Sequence, residues 1–151
     1  MEIASHIEKI QRLNALRERL DPLRDFELWY WTSLTAGTNM WNATLHAAGL
    51  TSEERVFSTL PGVHVVPQPD GSFRRELRGP GDVSHVGWPP IPGRMPAHVQ
   101  ALEAALHALE AYRDPCLRGE KQPNQAIVDD CDRAYGQAFT ICTQALHKEV
   151  R

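Results

Sequence analysis

Apolar residues recur at helical spacing in three charged segments of the chain. In residues 3–20 they stand three or four positions apart, and Lys, Arg and Glu fill most of the other positions. This pattern is typical of a helix with one buried side. Ser5 and Glu8 form a capping-box pattern at its start. The same spacing predicts helices over 96–114 and from 123 nearly to the C-terminus.

A fourth helix is predicted between the first two of these, and it differs from them in containing a long stretch without charged residues. Residues 28–52 contain no Asp, Glu, Lys or Arg, and they hold three of the four tryptophans. Asp21 and Pro22 predict its N-terminus, and Gly49 predicts its left-handed end. Its many Thr, Asn and Ser residues argue against a membrane span, because hydrocarbon penalises such groups. We therefore expect a helix that is surrounded by protein on most sides.

The polar residues of this helix gather on one face when it is wound at about 100° per residue. We call this face the polar stripe: it consists of Thr35, Asn39, Asn42 and His46, with Trp31 and Trp41 as aromatic walls. A surface helix normally carries Lys and Glu in such a position, so neutral groups indicate an internal partner. The stripe can be a structural network of buried hydrogen bonds, which is the commoner arrangement. It can also line a pocket for a small amphipathic ligand.

The segment 61–96 cannot sustain a helix, because it holds eight of the eleven prolines and six of the ten glycines. Within it, residues 63–66 and 73–77 flank a Pro-Asp-Gly-Ser sequence, which predicts a β-hairpin. The rest is irregular but carries apolar residues, so we expect it to lie over the helices. A capping box just before it predicts a short helix over 52–60.

Together these elements predict a mainly α fold. We expect an antiparallel four-helix bundle in a single domain, 1–151, with the Pro/Gly-rich, hairpin-containing connection 61–96 between helices 2 and 3. Helix 2 is too apolar for one corner of a lone bundle, which predicts a homodimer formed through helix 2.

Charge and composition narrow the possible partners. The net charge is −3 and the isoelectric point is near 6.1, so nothing favours binding to nucleic acid. We predict no membrane partner, since the N-terminus lacks an apolar signal region. The odd cysteine count and the absence of a disulfide framework predict a cytoplasmic protein.

No catalytic, metal or cofactor motif stands out. The chain has no His-Glu-x-x-His, Cys-x-x-Cys, Gly-x-Ser-x-Gly or Walker A pattern. We therefore predict no catalytic set, no metal site and no cofactor, and we favour binding of a small ligand or partner by the polar stripe. Two alternatives stay open. One is a small enzyme or metal-dependent protein that uses His46 with His64 or His85, and the other is a purely structural homodimer module.

Overall fold

The computed structural model describes residues 1–53, 63–77, 79 and 81–148. Over these residues the fold is mainly helical, with four α-helices, a small two-stranded sheet and one π-helical turn. The elements are α1 (Ile3–Arg17), α2 (Phe26–Ala47), β1 (Val63–Pro67), β2 (Phe73–Leu77), α3 (Ala97–Glu110), the π-helical turn (Asp114–Arg118) and α4 (Gln125–Lys148). None of the described helices combines the length and apolar character that a bilayer crossing needs.

Helix α2 is the centre of the packing, because it contacts α1, α3 and α4. Its composition, with Glu27 as the one Asp, Glu, Lys or Arg, suits this position: Tyr30, Met40 and Leu45 are fully buried. The Tyr30 hydroxyl donates a hydrogen bond to the backbone carbonyl of Leu109 in α3. Gly37 permits the close approach of α3, since a Cβ at that position would lie 2.7 Å from the side chain of Leu106.

The predicted start of the first helix is wrong. Helix α1 begins at Ile3, so Ser5 lies inside its first turn and does not cap it. The carboxylate of Glu53 accepts the Ile3 N–H at 2.6 Å, and it therefore satisfies a helix N-terminus from 50 residues away. The helix also ends at Arg17, three residues before the predicted end at Leu20.

The predicted start of the second helix is also wrong, by four residues. Asp21 caps a separate turn, in which it accepts the N–H groups of Leu23 and Arg24. Helix α2 then begins at Phe26. Its other end is confirmed: Gly49 has a φ of +66°, the left-handed conformation that favours glycine.

The small sheet lies where the sequence predicts strands, with β1 and β2 paired antiparallel. Its base packs on the core through buried Leu77, whereas Val65 and Phe73 near the tip are exposed. The following loop returns over α2, and its Val83 and Val86 are buried in the core. The predicted helix over 52–60 falls outside the described residues except for 52 and 53, which are not helical.

One arginine ties three helices together. The Arg17 guanidinium at the end of α1 lies 4.6 Å from the ring centre of Trp29 in α2 and 4.2 Å from that of Tyr135 in α4. It also donates to the Ser33 hydroxyl at 2.7 Å and pairs with Asp132. Cation–π contacts of a desolvated guanidinium are among the stronger ones.

Replacing Arg17 with Ala should lower the free energy of unfolding by about 2–4 kcal/mol, because both ring contacts and the hydrogen bond to Ser33 are lost. The exposed Arg19→Ala change is the matched control and should cost less than about 0.5 kcal/mol. Urea unfolding followed by circular dichroism measures both values. Equal unfolding midpoints for the two variants would contradict a role for Arg17 in holding the helices together.

Candidate metal centre

Two histidines and the terminal ammonium converge on one carboxylate oxygen. The Nε2 atoms of His6 and His46 lie 3.2 Å and 2.9 Å from Oδ1 of Asp82. The Met1 ammonium donates to the same oxygen at 2.6 Å. The imidazoles are almost fully buried, and 7% of the Asp82 side chain is exposed. We call His6, His46 and Asp82 the His–Asp centre.

Three separate elements supply the His–Asp centre. His6 lies in the second turn of α1, and His46 lies in the last turn of α2. Asp82 comes from the loop that follows the sheet. Gly81 positions that loop: it has a φ of +119°, and its N–H donates to the Ser52 carbonyl at 3.1 Å. A side chain at this φ would be strained, so glycine is the residue that allows the chain to present Asp82 to the two helices.

The far nitrogen of His6 is held by an amide. Its Nδ1 lies 2.9 Å from Oδ1 of Asn39, and Nδ2 of Asn39 donates to the Thr35 carbonyl at 2.8 Å. The second bond fixes the orientation of the amide, so its oxygen faces His6 and can only accept. His6 Nδ1 therefore carries a hydrogen, and its Nε2 faces Asp82.

The outer nitrogen of His46 contacts a hydroxyl group, which places fewer restrictions on its hydrogen than Asn39 places on that of His6. Its Nδ1 lies 2.7 Å from the hydroxyl oxygen of Thr51, and this pair is buried. A hydroxyl can donate or accept, so Thr51 suits either tautomer of His46. Both rings of the His–Asp centre are thus fixed at their outer nitrogen while the inner nitrogen points at Asp82.

The carboxylate is held in its ionised form. Burial on its own would raise the pKa of Asp82, but the hydrogen bonds from His46, His6 and the terminal ammonium outweigh burial. These contacts hold the pKa of Asp82 well below its usual range. A negative charge therefore lies at the middle of the cluster throughout the physiological pH range.

The same geometry suits a metal ion. The three ligand atoms of the His–Asp centre all lie within 4.8 Å of one another, and no second such group occurs among the residues that the structure describes. Two ligands bound at ~2.0–2.1 Å to one ion are about 3.0–3.4 Å apart, which is close to both measured N–O separations. Metal-bound histidines also commonly donate their other ring N–H to an acceptor, as His6 does to Asn39.

Two residues of the polar stripe belong to or support the His–Asp centre, and a third holds the loop that carries Asp82. His46 is a member of the His–Asp centre, and Asn39 positions His6. Asn42 instead fixes the loop: its Oδ1 accepts the Val83 N–H at 2.8 Å, and its Nδ2 donates to the Val83 carbonyl at 3.0 Å. This pair of bonds holds the backbone directly after Asp82.

The other predicted site residues lie elsewhere. Thr35 and Trp31 are exposed on the outer part of α2. Trp41 is buried in the core, and within the described part of the chain its Nε1 has no hydrogen-bond partner. His64 and His85, the sequence-based candidates to complete a metal site with His46, are both exposed and do not belong to the His–Asp centre.

Sequence reasoning missed His6 and Asp82. One signal for His6 was present, since it interrupts the apolar stripe of the first helix between Ile3 and Ile10. Asp82 gave no such signal, because it follows a Gly-Pro-Gly sequence in an irregular loop.

Comparisons of the chain with protein-family models, characterised proteins and solved structures gave no match. The site is therefore interpreted from its own geometry.

Replacing Asn42 with Leu should lower the free energy of unfolding by about 2–4 kcal/mol, since it leaves the buried N–H and carbonyl of Val83 without their side-chain partners. Gln144→Leu, at an exposed position of α4, is the control and should change stability by less than about 0.5 kcal/mol. Urea midpoints measure the difference. Unchanged stability in Asn42→Leu would mean that the loop does not depend on this amide.

The low pKa of Asp82 predicts a pH dependence with a defined sign. A carboxyl group whose pKa is lowered in the folded state stabilises the protein above its unfolded pKa of about 3.9, and this stabilisation is lost as the pH falls. Asp82→Asn should therefore be less stable than the wild type by about 3 kcal/mol at pH 7. The difference should narrow below about pH 4. Urea unfolding at pH 4, 3 and 2 tests this, with exposed Asp129→Asn as the control, and a gap that widens as the pH falls through this range would refute it.

Proposed function

We propose that this protein binds a divalent transition-metal ion at the His–Asp centre. One observation supports this most directly: two buried Nε2 atoms face one carboxylate oxygen, and side chains hold both outer Nδ1 atoms. This arrangement orients two imidazoles and a carboxylate towards a common point. Sites of two histidines and one carboxylate occur in zinc enzymes and in non-haem iron enzymes.

The position of the hydrogen on His6 determines whether this residue can act as a metal ligand. A neutral imidazole with its hydrogen on Nδ1 has its lone pair on Nε2, the atom that faces Asp82. Thr51 can accept a hydrogen bond from His46 Nδ1, which gives His46 the same form. Both rings can then act as nitrogen ligands, and Asn39 and Thr51 serve to orient them.

The ligand set limits which ions fit. Two imidazole nitrogens and one carboxylate oxygen favour Zn²⁺, Fe²⁺ or Mn²⁺ over Ca²⁺ and Mg²⁺, which prefer oxygen ligands. Such an ion, when bound by three protein ligands, supplies a Lewis acid with a position for water or substrate. In this proposal His6 and His46 take the place of the pairing of His46 with His64 or His85 that the sequence suggested.

A structural role is the alternative for the same residues. Asp82 is hydrogen-bonded to His6 on α1 and to His46 on α2, so the His–Asp centre also links the loop to both helices. This alternative needs no ion. It predicts that metal-free protein is fully folded and that added ions bind weakly or at exposed histidines.

We further propose an antiparallel four-helix bundle as the architecture around the site, because α2 contacts the other three helices. The homodimer formed through helix 2 stays a prediction, as does the cytoplasmic location. The side chains that α2 leaves exposed for a second copy include Leu28 and Trp31. Binding of a small ligand by the polar stripe also stays a prediction.

Calorimetric titration of chelator-treated protein with Zn²⁺ tests the proposed metal site. We expect one equivalent to bind with submicromolar Kd and to raise the thermal unfolding midpoint, because an ion that binds only the folded state stabilises it. His6→Gln, His46→Gln and Asp82→Asn should each weaken binding by about 100-fold or more.

His64→Gln and His85→Gln are the matched controls, since both side chains are exposed and lie outside the His–Asp centre. They should leave the stoichiometry and the Kd unchanged. Circular dichroism of each variant shows whether it is folded. Absence of binding to folded wild-type protein, or binding that is lost in a control and retained in His6→Gln, would overturn the proposal.

A further inference from the structure

A cleft runs between α1 and α2 on the outer side of His6. Its volume is about 390 Å³, within the usual range for small-molecule sites. Its walls come from about two turns of α1 and about one turn of α2. The lining residues are Lys9, Arg12, Leu13, Leu16, Thr35 and Asn39.

The cleft combines positive charge with apolar surface. Lys9 is half-buried and Arg12 is exposed, and both line it. Glu8 pairs with Arg12 at 3.7 Å, but both side chains are about two-thirds exposed, so this pair neutralises little. Leu16 is 40% exposed in a position where a surface helix usually carries a polar residue. On a chain with a net charge of −3, this is a local basic and apolar site.

Two residues of the polar stripe supply hydrogen-bonding groups. The Thr35 hydroxyl donates to the Trp31 carbonyl at 2.8 Å, and its oxygen can still accept a hydrogen bond. Asn39 Nδ2 uses one of its two hydrogens for the Thr35 carbonyl. Asn39 lines the same cleft as the two cations, so a ligand with an anionic head would meet one amide donor as well as charge.

We propose that this cleft binds a small amphipathic anion, with a carboxylate or phosphate head at Lys9 and Arg12 and a short alkyl or aryl body on Leu13 and Leu16. Asn39 lines the cleft and also accepts the hydrogen bond from His6 Nδ1. The cleft therefore shares with the His–Asp centre the amide that orients a proposed metal ligand. The binding site stands on its own observations, and only its coupling to the metal rests on the proposed function.

The anion and the metal must change each other's affinity by the same factor. If a bound anion favours the Asn39 orientation that holds His6, it raises the affinity for the metal. Linkage then requires the metal to raise the affinity for the anion by the same factor. Couplings of this kind commonly change affinity about fivefold or more.

Octanoate is the first probe, used at submicellar concentration on chelator-treated protein, with octanol as the uncharged comparison. We expect octanoate to bind about tenfold more tightly than octanol, because only octanoate can pair with the two cations. Lys9→Gln and Arg12→Gln should each weaken octanoate binding about fivefold or more. Arg19→Gln, beyond the end of α1 and outside the cleft, is the matched control and should leave the Kd unchanged.

Calorimetry gives these Kd values, and backbone amide shifts locate the ligand. Equal binding of octanoate and octanol, full octanoate affinity in both Lys9→Gln and Arg12→Gln, or binding only to anionic phospholipid vesicles would overturn the cleft proposal. The vesicle result would assign the surface to a membrane instead of a soluble ligand. Thr35→Ala, at an exposed position, provides a cleft variant that should fold normally.

The Kd for Zn²⁺ with and without saturating octanoate tests the coupling. We expect about fivefold tighter Zn²⁺ binding in its presence, and Asn39→Ala should reduce this ratio to about one. Octanoate binding without any Zn²⁺ binding would defeat the proposed metal function and leave the cleft standing. Zn²⁺ binding without octanoate binding would defeat the cleft alone, and equal Zn²⁺ affinities in its presence and absence would defeat the coupling.

Discussion

The buried charge of Asp82 is the constraint on which the rest of the arrangement depends. Removing a carboxylate from water costs several kcal/mol unless other groups replace its hydration. Here the replacements come from the chain's first residue, from α1 and from α2. Asp82 keeps its partners only when α1 and α2 both hold their histidines beside the loop. The two buried imidazoles in turn depend on the loop for their carboxylate partner. Asn42 extends this dependence by holding the next backbone unit, at Val83.

The helical part of the fold could be read from the sequence because its signal is local and repeated. Apolar spacing over three or four turns located all four helices to within a few residues, and Gly49 marked an end correctly. The predicted start of α1 was wrong for a physical reason. Capping rules assume that the nearest polar side chain satisfies a helix terminus, whereas α1 is capped by Glu53 from a distant part of the chain. No local pattern can report such a partner.

The site was predictable only in part. The neutral face of α2 indicated that a partner was missing, and His46 and Asn39 do lie at the site. The partners themselves are His6 and Asp82, which are separated from His46 by 40 and 36 positions in the sequence. Motif spacing identifies ligands that share one helix or one turn. Motif spacing cannot identify ligands that come from two helices and an irregular loop, because only the folded chain brings their atoms together.

What distinguishes a metal ligand from an ion-pair partner at this site is the position of a hydrogen. Asn39 requires a hydrogen on His6 Nδ1. His6 Nε2 then either carries a second hydrogen, which it donates to Asp82, or presents a lone pair. A metal ion binds only the second form and releases the hydrogen from the first. His6 therefore cannot be an ion-pair partner and a metal ligand at the same time. The orientation that Asn39 imposes on His6 suits either role. A site built in this way can hold its loop in place without an ion, and an ion that binds Oδ1 of Asp82 competes there with the terminal ammonium.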